Sequence, residues 1–570
     1  MAKLNFFGWL AECPRGLASV AAGLAGAALI LVPVGARAVP NEHLLASDVA
    51  LARGEFPQAV QQLETLLQAR FDARLADRAA RLAFDNGQPR ALERIATGWL
   101  KHEPQAEAAR RFRAIARLEL DDVPGAAADI KVLVDTAYET PAAAFAGLQE
   151  PLAGVDSGGA AARAVALLLP GYPKVAEAYV AHAELSLRAL NSATALASSD
   201  RALELKPGDR EALWIRARAH VLRRDCAQGV GEAAGLAAEG SPRDRLLYAW
   251  LASSCGQAGE VDGVLHDLAR QPALKSEALG LLANNALEAD RLDEAEADYR
   301  DVLAAGRGSE DASYGLAVIS ERRGNVQQAQ QLYAGITAGS RAVPAQSALY
   351  RLLLRSGQAE IGARVYDQFI QATPDRVSAV AARAEVLAAG GRAPDAVVVT
   401  SRARRVYPDS AELGLAEAAA LDRAGRVDEA LQLLRALRAQ RPHDPEVANS
   451  LGYTLADRDR ELPYAEQLIR DALADRPDSP AIQDSLGWVL HRQGHDKDAV
   501  QWLSRAYAAN RESEVAVHLG EALWAIGDRP GAEQTWRTRL AEDKDSAMLR
   551  DTLRRHGLAD PPPVPATTAP

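Results

Sequence analysis

Cysteine is scarce in this chain: Cys13, Cys226 and Cys255 are the only three in 570 residues. No Cys-x-x-Cys occurs, so the sequence encodes neither a metal framework nor a dense disulfide scaffold. Aromatic residues make up only 5%, and small Ala and Gly dominate many segments. That balance suits helices packed closely on helices and fits poorly with a strand-rich protein. Positive charge is in deficit, with a formal net charge of −11. An acidic surface disfavours a nucleic-acid partner, because phosphate binding needs positive patches. Also missing are a Gly-x-x-x-x-Gly-Lys-Ser/Thr loop, a Gly-x-Ser-x-Gly elbow and a His-Glu-x-x-His pair. His491 and His495 come nearest to a metal pair, but Gly494 between them ends the helix. They would not share a helical face, and read as two solvated turn residues. Neither a metal, a cofactor nor an enzyme activity is expected.

Hydrophobic residues make up 48%, enough for a large core. Residues 16–36 carry no charge and include the apolar run from Ala27 to Val32. Lys3 and Arg15 precede it, and Ala36-Arg37-Ala38 follows as a small-x-small cleavage site. Residues 1–38 therefore read as a signal peptide, and a periplasmic location is expected. An uncleaved membrane anchor is the rival reading, since about 20 apolar residues span a bilayer. Leu10-Ala11-Glu12-Cys13 resembles a lipoprotein box only superficially, because Glu12 sits where a small residue is wanted.

A repeat runs along most of the chain. Its anchor is a small residue in each second helix: Ala295, Ala329, Gly362, Ala396, Ala430, Ala465, Ala499 and Ala532. Successive anchors are 33 to 35 residues apart. Pro374, Pro408, Pro442 and Pro477 end second helices, since proline cannot continue one. Gly324, Gly357, Gly391, Gly425, Gly494 and Gly527 mark the turns inside the hairpins. Upstream the grid weakens, to Ala195 with Pro207, then Gly229, then a degenerate Val264. A period near 34 with small residues at the helix crossing is the tetratricopeptide pattern. The expected fold is all-α, a right-handed superhelical solenoid of about fourteen stacked hairpins.

Residues 39–140 read as an N-terminal helical module, with Gly54 and Ala59, Gly87 and Ala91, and Gly125 and Ala126 marking its hairpins. Residues 141–173 read as an irregular joint, with short helices over Ala142–Leu148 and Ala160–Leu169. Gly147, Pro151, Gly154, Gly158 and Gly159 break it up. The main array covers 174–545, and 546–570 holds a last helix end and a Pro-rich tail expected to be disordered.

First helices should line an inner groove. In the last three units the groove candidates are Asn449, Tyr453, Asp484, Trp488, His491, His518, Glu521 and Trp524. Rings beside amide and charged groups can grip an extended peptide. The other reading is that Tyr453, Trp488 and Trp524 pack between hairpins. Trp214 and Trp250 read as core. Cys226 falls at a turn and Cys255 in the next first helix, so they form either a disulfide or two buried thiols.

Asn449-Ser450-Leu451-Gly452-Tyr453-Thr454-Leu455-Ala456-Asp457, Tyr464-Ala465 and Asp484-Ser485-Leu486-Gly487-Trp488-Val489-Leu490 resemble the C-terminal block of bacterial tetratricopeptide proteins. That group includes periplasmic adaptor lipoproteins that bind a carboxy-terminal processing protease and present cell-wall hydrolases to it. The resemblance implies a non-catalytic adaptor with protein partners, although this chain lacks a convincing lipid-attachment cysteine. A structural scaffold of a polysaccharide-export or outer-membrane assembly machine is the alternative.

Overall fold

The computed structural model describes residues 39–153, 159–306, 309–373, 375–544 and 546–558. The expected signal peptide, the Pro-rich tail, Pro374, Gly154 and Gly158 lie outside the described residues. Among the described residues there are 31 α-helices and no strand. Fourteen pairs form antiparallel hairpins, from Val39–Ala52 with Phe56–Ala69 to Ser513–Ala525 with Arg529–Glu542. The helix Ala547–Arg555 closes the C-terminal end.

Each hairpin is set by a close crossing. The second-helix anchors Ala295, Ala329, Ala396, Ala430, Ala465, Ala499 and Ala532 are fully buried. Facing them, the first helix often carries glycine with a large side chain laid over it. A Cβ on Gly452 would sit 2.7 Å from Ile469 Cγ1, and one on Gly487 would sit 2.5 Å from Leu503 Cγ. At Gly520 the indole of Trp536 occupies the space outright. These glycines are therefore needed for approach rather than for backbone freedom.

The loops between hairpins start the next helix with a cap. Asp375, Ser410 and Asp444 accept the backbone N–H of Ser378, Leu413 and Val447. The turns inside hairpins place one residue in the left-handed region. In most this is glycine, as at Gly425 (φ 78°), but four upstream turns use Asp121, Leu190, Arg224 and Asp290 (φ 55 to 70°), and the turn before Leu462–Asp475 uses Asp459 and Glu461. That substitution leaves gaps in the glycine grid, which Gly54, Gly87 and Gly256 keep at other upstream turns.

First helices of neighbouring hairpins pack on one another along the array, while second helices mostly do not. The wall therefore curves with its first helices inside. Residues 141–173 do not form a regular hairpin. Pro141–Ala153 packs on Ala176–Arg188, and Ala160–Leu168 packs on Val123–Thr136. One apolar cluster, including Leu118, Ile130, Phe145, Val165 and Leu185, runs through the joint. The first of these helices extends beyond the expected Leu148.

Trp214 and Trp250 lie in the core. Cys226 and Cys255 are joined in a disulfide that ties one hairpin turn to the end of the next first helix.

Replacing Gly520 with alanine should destabilise the last hairpin by about 1–3 kcal/mol, because Trp536 must leave its rotamer. Thermal melting should show a lower midpoint with the far-ultraviolet helical signal kept at low temperature.

Candidate functional site: a ring and histidine cluster on the inner face

Polar rungs cross the inner face from one first helix to the next. Arg218 donates to Glu184 at 2.7 Å. Trp214 Nε1 donates to Asp244 at 2.9 Å. Asn285 donates to Ser253 at 3.0 Å. Arg351 reaches Glu321 at 3.2 Å, and Arg458 reaches Asp422 at 2.8 Å. Each rung joins residues about one repeat apart, so the curvature that brings first helices together also pairs their polar groups.

In the last three hairpins the rungs become aromatic. The Trp488 indole stacks on the His518 imidazole with centroids 4.1 Å apart, and its Nε1 donates to Asp457 at 3.3 Å. His518 Nδ1 lies 3.0 Å from both oxygens of Asp484. Tyr453 donates its hydroxyl to Glu514 at 2.5 Å, two hairpins further on. The Arg492 guanidinium lies over the Trp488 ring, 5.3 Å from its centre. A second cluster follows at the end of the coil. His556 stacks on Trp536 at 4.8 Å, touches Trp524 at 4.5 Å, and bonds Glu521 at 2.9 Å. Arg529 lies over Trp524.

All eight sequence-derived groove candidates therefore sit on this stretch, but their side chains mostly face one another. Asn449, Asp484, Trp488 and His518 are buried, the last only 4% exposed. Tyr453, His491, Glu521 and Trp524 are half-buried. His491 bonds Asp496 at 2.6 Å, while His495 stands at the N-cap position of the next helix with no side-chain capping bond, so the two histidines are apart in role. No group of three or more metal-binding side chains occurs among the described residues. The side-chain oxygen of Asn449 is buried and meets no hydrogen-bond donor.

The sequence reading missed Asp457, Glu514, Trp536 and His556 as members of this network, and Arg555, which pairs with Glu521 at 3.1 Å. His556 lies one repeat length after Glu521, and that spacing was the available signal. Glu514 gave none, because its partner is two hairpins away.

Burial alone would push the His518 imidazole down. The Asp484 carboxylate and its hydrogen bond, with Glu514 and Asp457 beyond, outweigh that and hold it above its ordinary value. Burial of Tyr453, reinforced by the charge of Glu514, raises its phenol well above the usual range. His182 is the opposite case: bonded to Ser198 at 2.8 Å, it is pushed down to about 4 by its burial. A charged His518 thus stabilises the fold, while His182 is kept neutral. With so little exposure, His518 is placed to hold hairpins together rather than to exchange a proton with a substrate.

The His518–Asp484 contribution is fully present below the ordinary histidine pKa of about 6.5 and fades as pH rises through the raised value. Asp484→Asn should therefore lower the melting midpoint more at pH ~6 than at pH ~9. A deficit that is equal at both pH values counts against a charged imidazole.

Family models of the tetratricopeptide repeat match residues 387–452, and, in another version, residues 281–345, 348–411 and 454–514. A repeat-containing protein of this kind from Pseudomonas aeruginosa is 26% identical over 252 residues, which is 44% of this chain and 43% of that relative. The chain thus spans less than half the length of that curated relative. Among solved structures, the anaphase-promoting-complex hetero-tetramer Cut9–Hcn1 matches with 15% identity and a TM-score of 0.31, covering 90% of this chain and 96% of that one. A tetratricopeptide repeat protein from Parabacteroides merdae matches with 15% identity and the same TM-score of 0.31, covering 44% and 98%.

Proposed function

We propose that this all-α tetratricopeptide-repeat protein is an exported adaptor, which uses its inner face to hold an extended segment of a partner protein. The repeats themselves are those of a protein-interaction scaffold. The observation that carries the inner-face reading is Asn449, whose buried acceptor lies about one helical turn before Tyr453 and has no donor. A backbone N–H of an extended segment would satisfy it, and the neighbouring rings supply apolar area. The finer reading of the partners comes from the sequence resemblance: a carboxy-terminal processing protease on one surface and a cell-wall hydrolase on another. Holding both raises the effective concentration of one near the other.

Export rests on the charge-free segment before residue 39 and agrees with the Cys226–Cys255 disulfide, which persists in oxidising compartments. In protein alkylated inside intact cells, both cysteines should stay unmodified until a reductant is added. Free thiols at that step would overturn export.

The adaptor reading is tested by following degradation of a cell-wall hydrolase by the protease, with and without this protein. Degradation should accelerate in its presence. Asn449→Leu should leave melting unchanged or raise it by up to about 1 kcal/mol, since an unmatched acceptor is removed. The same variant should lose partner capture. Equal degradation rates with and without the protein sink the adaptor reading.

A further inference from the structure

The coil touches itself. Turns inside the first hairpins lie against loops between hairpins some 300 residues later. Arg376 donates to the Gly54 carbonyl at 3.3 Å and covers the Phe56 ring. Arg90 pairs with Asp409 at 2.7 Å. Asp121 accepts the His443 backbone N–H at 2.7 Å and also pairs with Arg163 at 3.0 Å. Arg163 reaches on to Asp475 at 3.2 Å. Asp478 donates its N–H to the Leu190 carbonyl at 3.1 Å, and its carboxylate accepts the Ser192 N–H at 2.7 Å. Gly54, Arg90, Asp121, Arg163 and Leu190 therefore meet Arg376, Asp409, His443, Asp475 and Asp478 in matching order. The order is that of one superhelical turn stacked on the next.

This seam differs in kind from the rest of the molecule. Each apolar cluster is drawn from helices close in sequence, and none has members on both sides of the seam. Apart from the Arg376–Phe56 contact, the seam's named contacts are ion pairs and hydrogen bonds. Two of its turn residues, Asp121 (φ 62°) and Leu190 (φ 55°), hold the left-handed conformation, as Arg224, Asp290 and Asp459 do at turns away from the seam. Asp121 supplies both carboxylate oxygens to the seam.

We propose that the seam is a polar clasp, which closes the coil on itself and opens without loss of the repeats, uncovering the loops at 376–478 and the inner face between the turns. The use of such opening, to admit a partner, rests on the scaffold reading; the clasp itself does not. Screening favours the open form. The Debye length falls from about 10 Å at 0.1 M salt to about 3 Å at 1 M, and these pairs are only partly buried.

Hydrogen–deuterium exchange of the full chain, with no partner present, reads the seam directly. Peptides carrying the amides of Ser192, His443 and Asp478 should exchange about tenfold faster in the Asp409→Arg, Asp475→Arg double variant, the equivalent of losing one good hydrogen bond. Wild type should shift the same way between about 0.05 M and about 0.5 M NaCl. Peptides from Pro480–Arg492 should stay protected throughout. Unchanged exchange at the three amides in a folded double variant overturns the clasp; should that variant lose helicity, an unchanged wild-type salt series overturns it. Loss of the three together with Pro480–Arg492 also overturns it, because the repeats would then be opening instead. Partner capture is measured in a separate assay, so failure of the scaffold reading leaves the exchange result standing.

Discussion

The whole coil depends on one repeated approach, a first helix laid against a second at a residue too small to hold them apart. At Gly487 and Leu503, or Gly520 and Trp536, the backbone of one helix is the wall against which the other packs. The distance fixed there sets the angle of each hairpin, and the angle is copied to the next by the buried alanine of the second helix. First helices then converge on the inside of the curve, and their polar side chains meet as rungs. Curvature, rungs and seam all follow from that crossing. A repeat protein therefore amplifies a local constraint, because each unit contacts only its neighbours and errors in angle add along the chain.

The part of the fold legible in the sequence is the part governed by this local rule. Anchors from Ala295 to Ala532 kept their spacing because every hairpin there needs the same small residue. Upstream, four turns tolerated Asp121, Leu190, Arg224 and Asp290 in the left-handed region, so the glycine signal was broken there while the hairpins stayed. The joint at 141–173 shows the converse. Its glycines and prolines read as interruption, yet Phe145, Val165 and Leu168 keep one core running through it. The seam was not legible. Arg163 and Asp475 stand 312 residues apart, and their meeting depends on the summed rotation of all the hairpins between them.

The inner face was legible as a place and less so as chemistry. Asn449, Tyr453, Asp484, Trp488, His518 and Trp524 do gather in one stretch. Polar residues beside rings suggest an open grip, but the curvature turns most of them onto each other. Asp484 is spent on His518, and Trp488 is in contact with both that imidazole and Arg492. Only the register between successive first helices reveals such pairing, and it is set by repeat length plus coil angle rather than by any motif. Asn449 stands out for the same reason, since the rung that would have used its oxygen is missing.

Two scales of cohesion coexist in this molecule, and they differ enough to separate its motions. Parting two adjacent hairpins would expose a continuous apolar cluster, at roughly 25 cal/mol for each Å² uncovered. Parting two turns of the coil breaks exposed or half-exposed ion pairs, each worth about 0–1 kcal/mol, and a few hydrogen bonds of similar net value. A thermal or ionic disturbance therefore reaches the seam long before it reaches the stack. The rungs of the inner face fall between these limits. Single rungs such as Arg351–Glu321 resemble the seam, while the His518–Asp484 rung is buried and costs more to break. A ligand segment would accordingly find the middle of the coil adaptable and its last hairpins preformed. That gradient places the rigid end of the surface where the rings are, which is where an anchoring contact gains most from preorganisation.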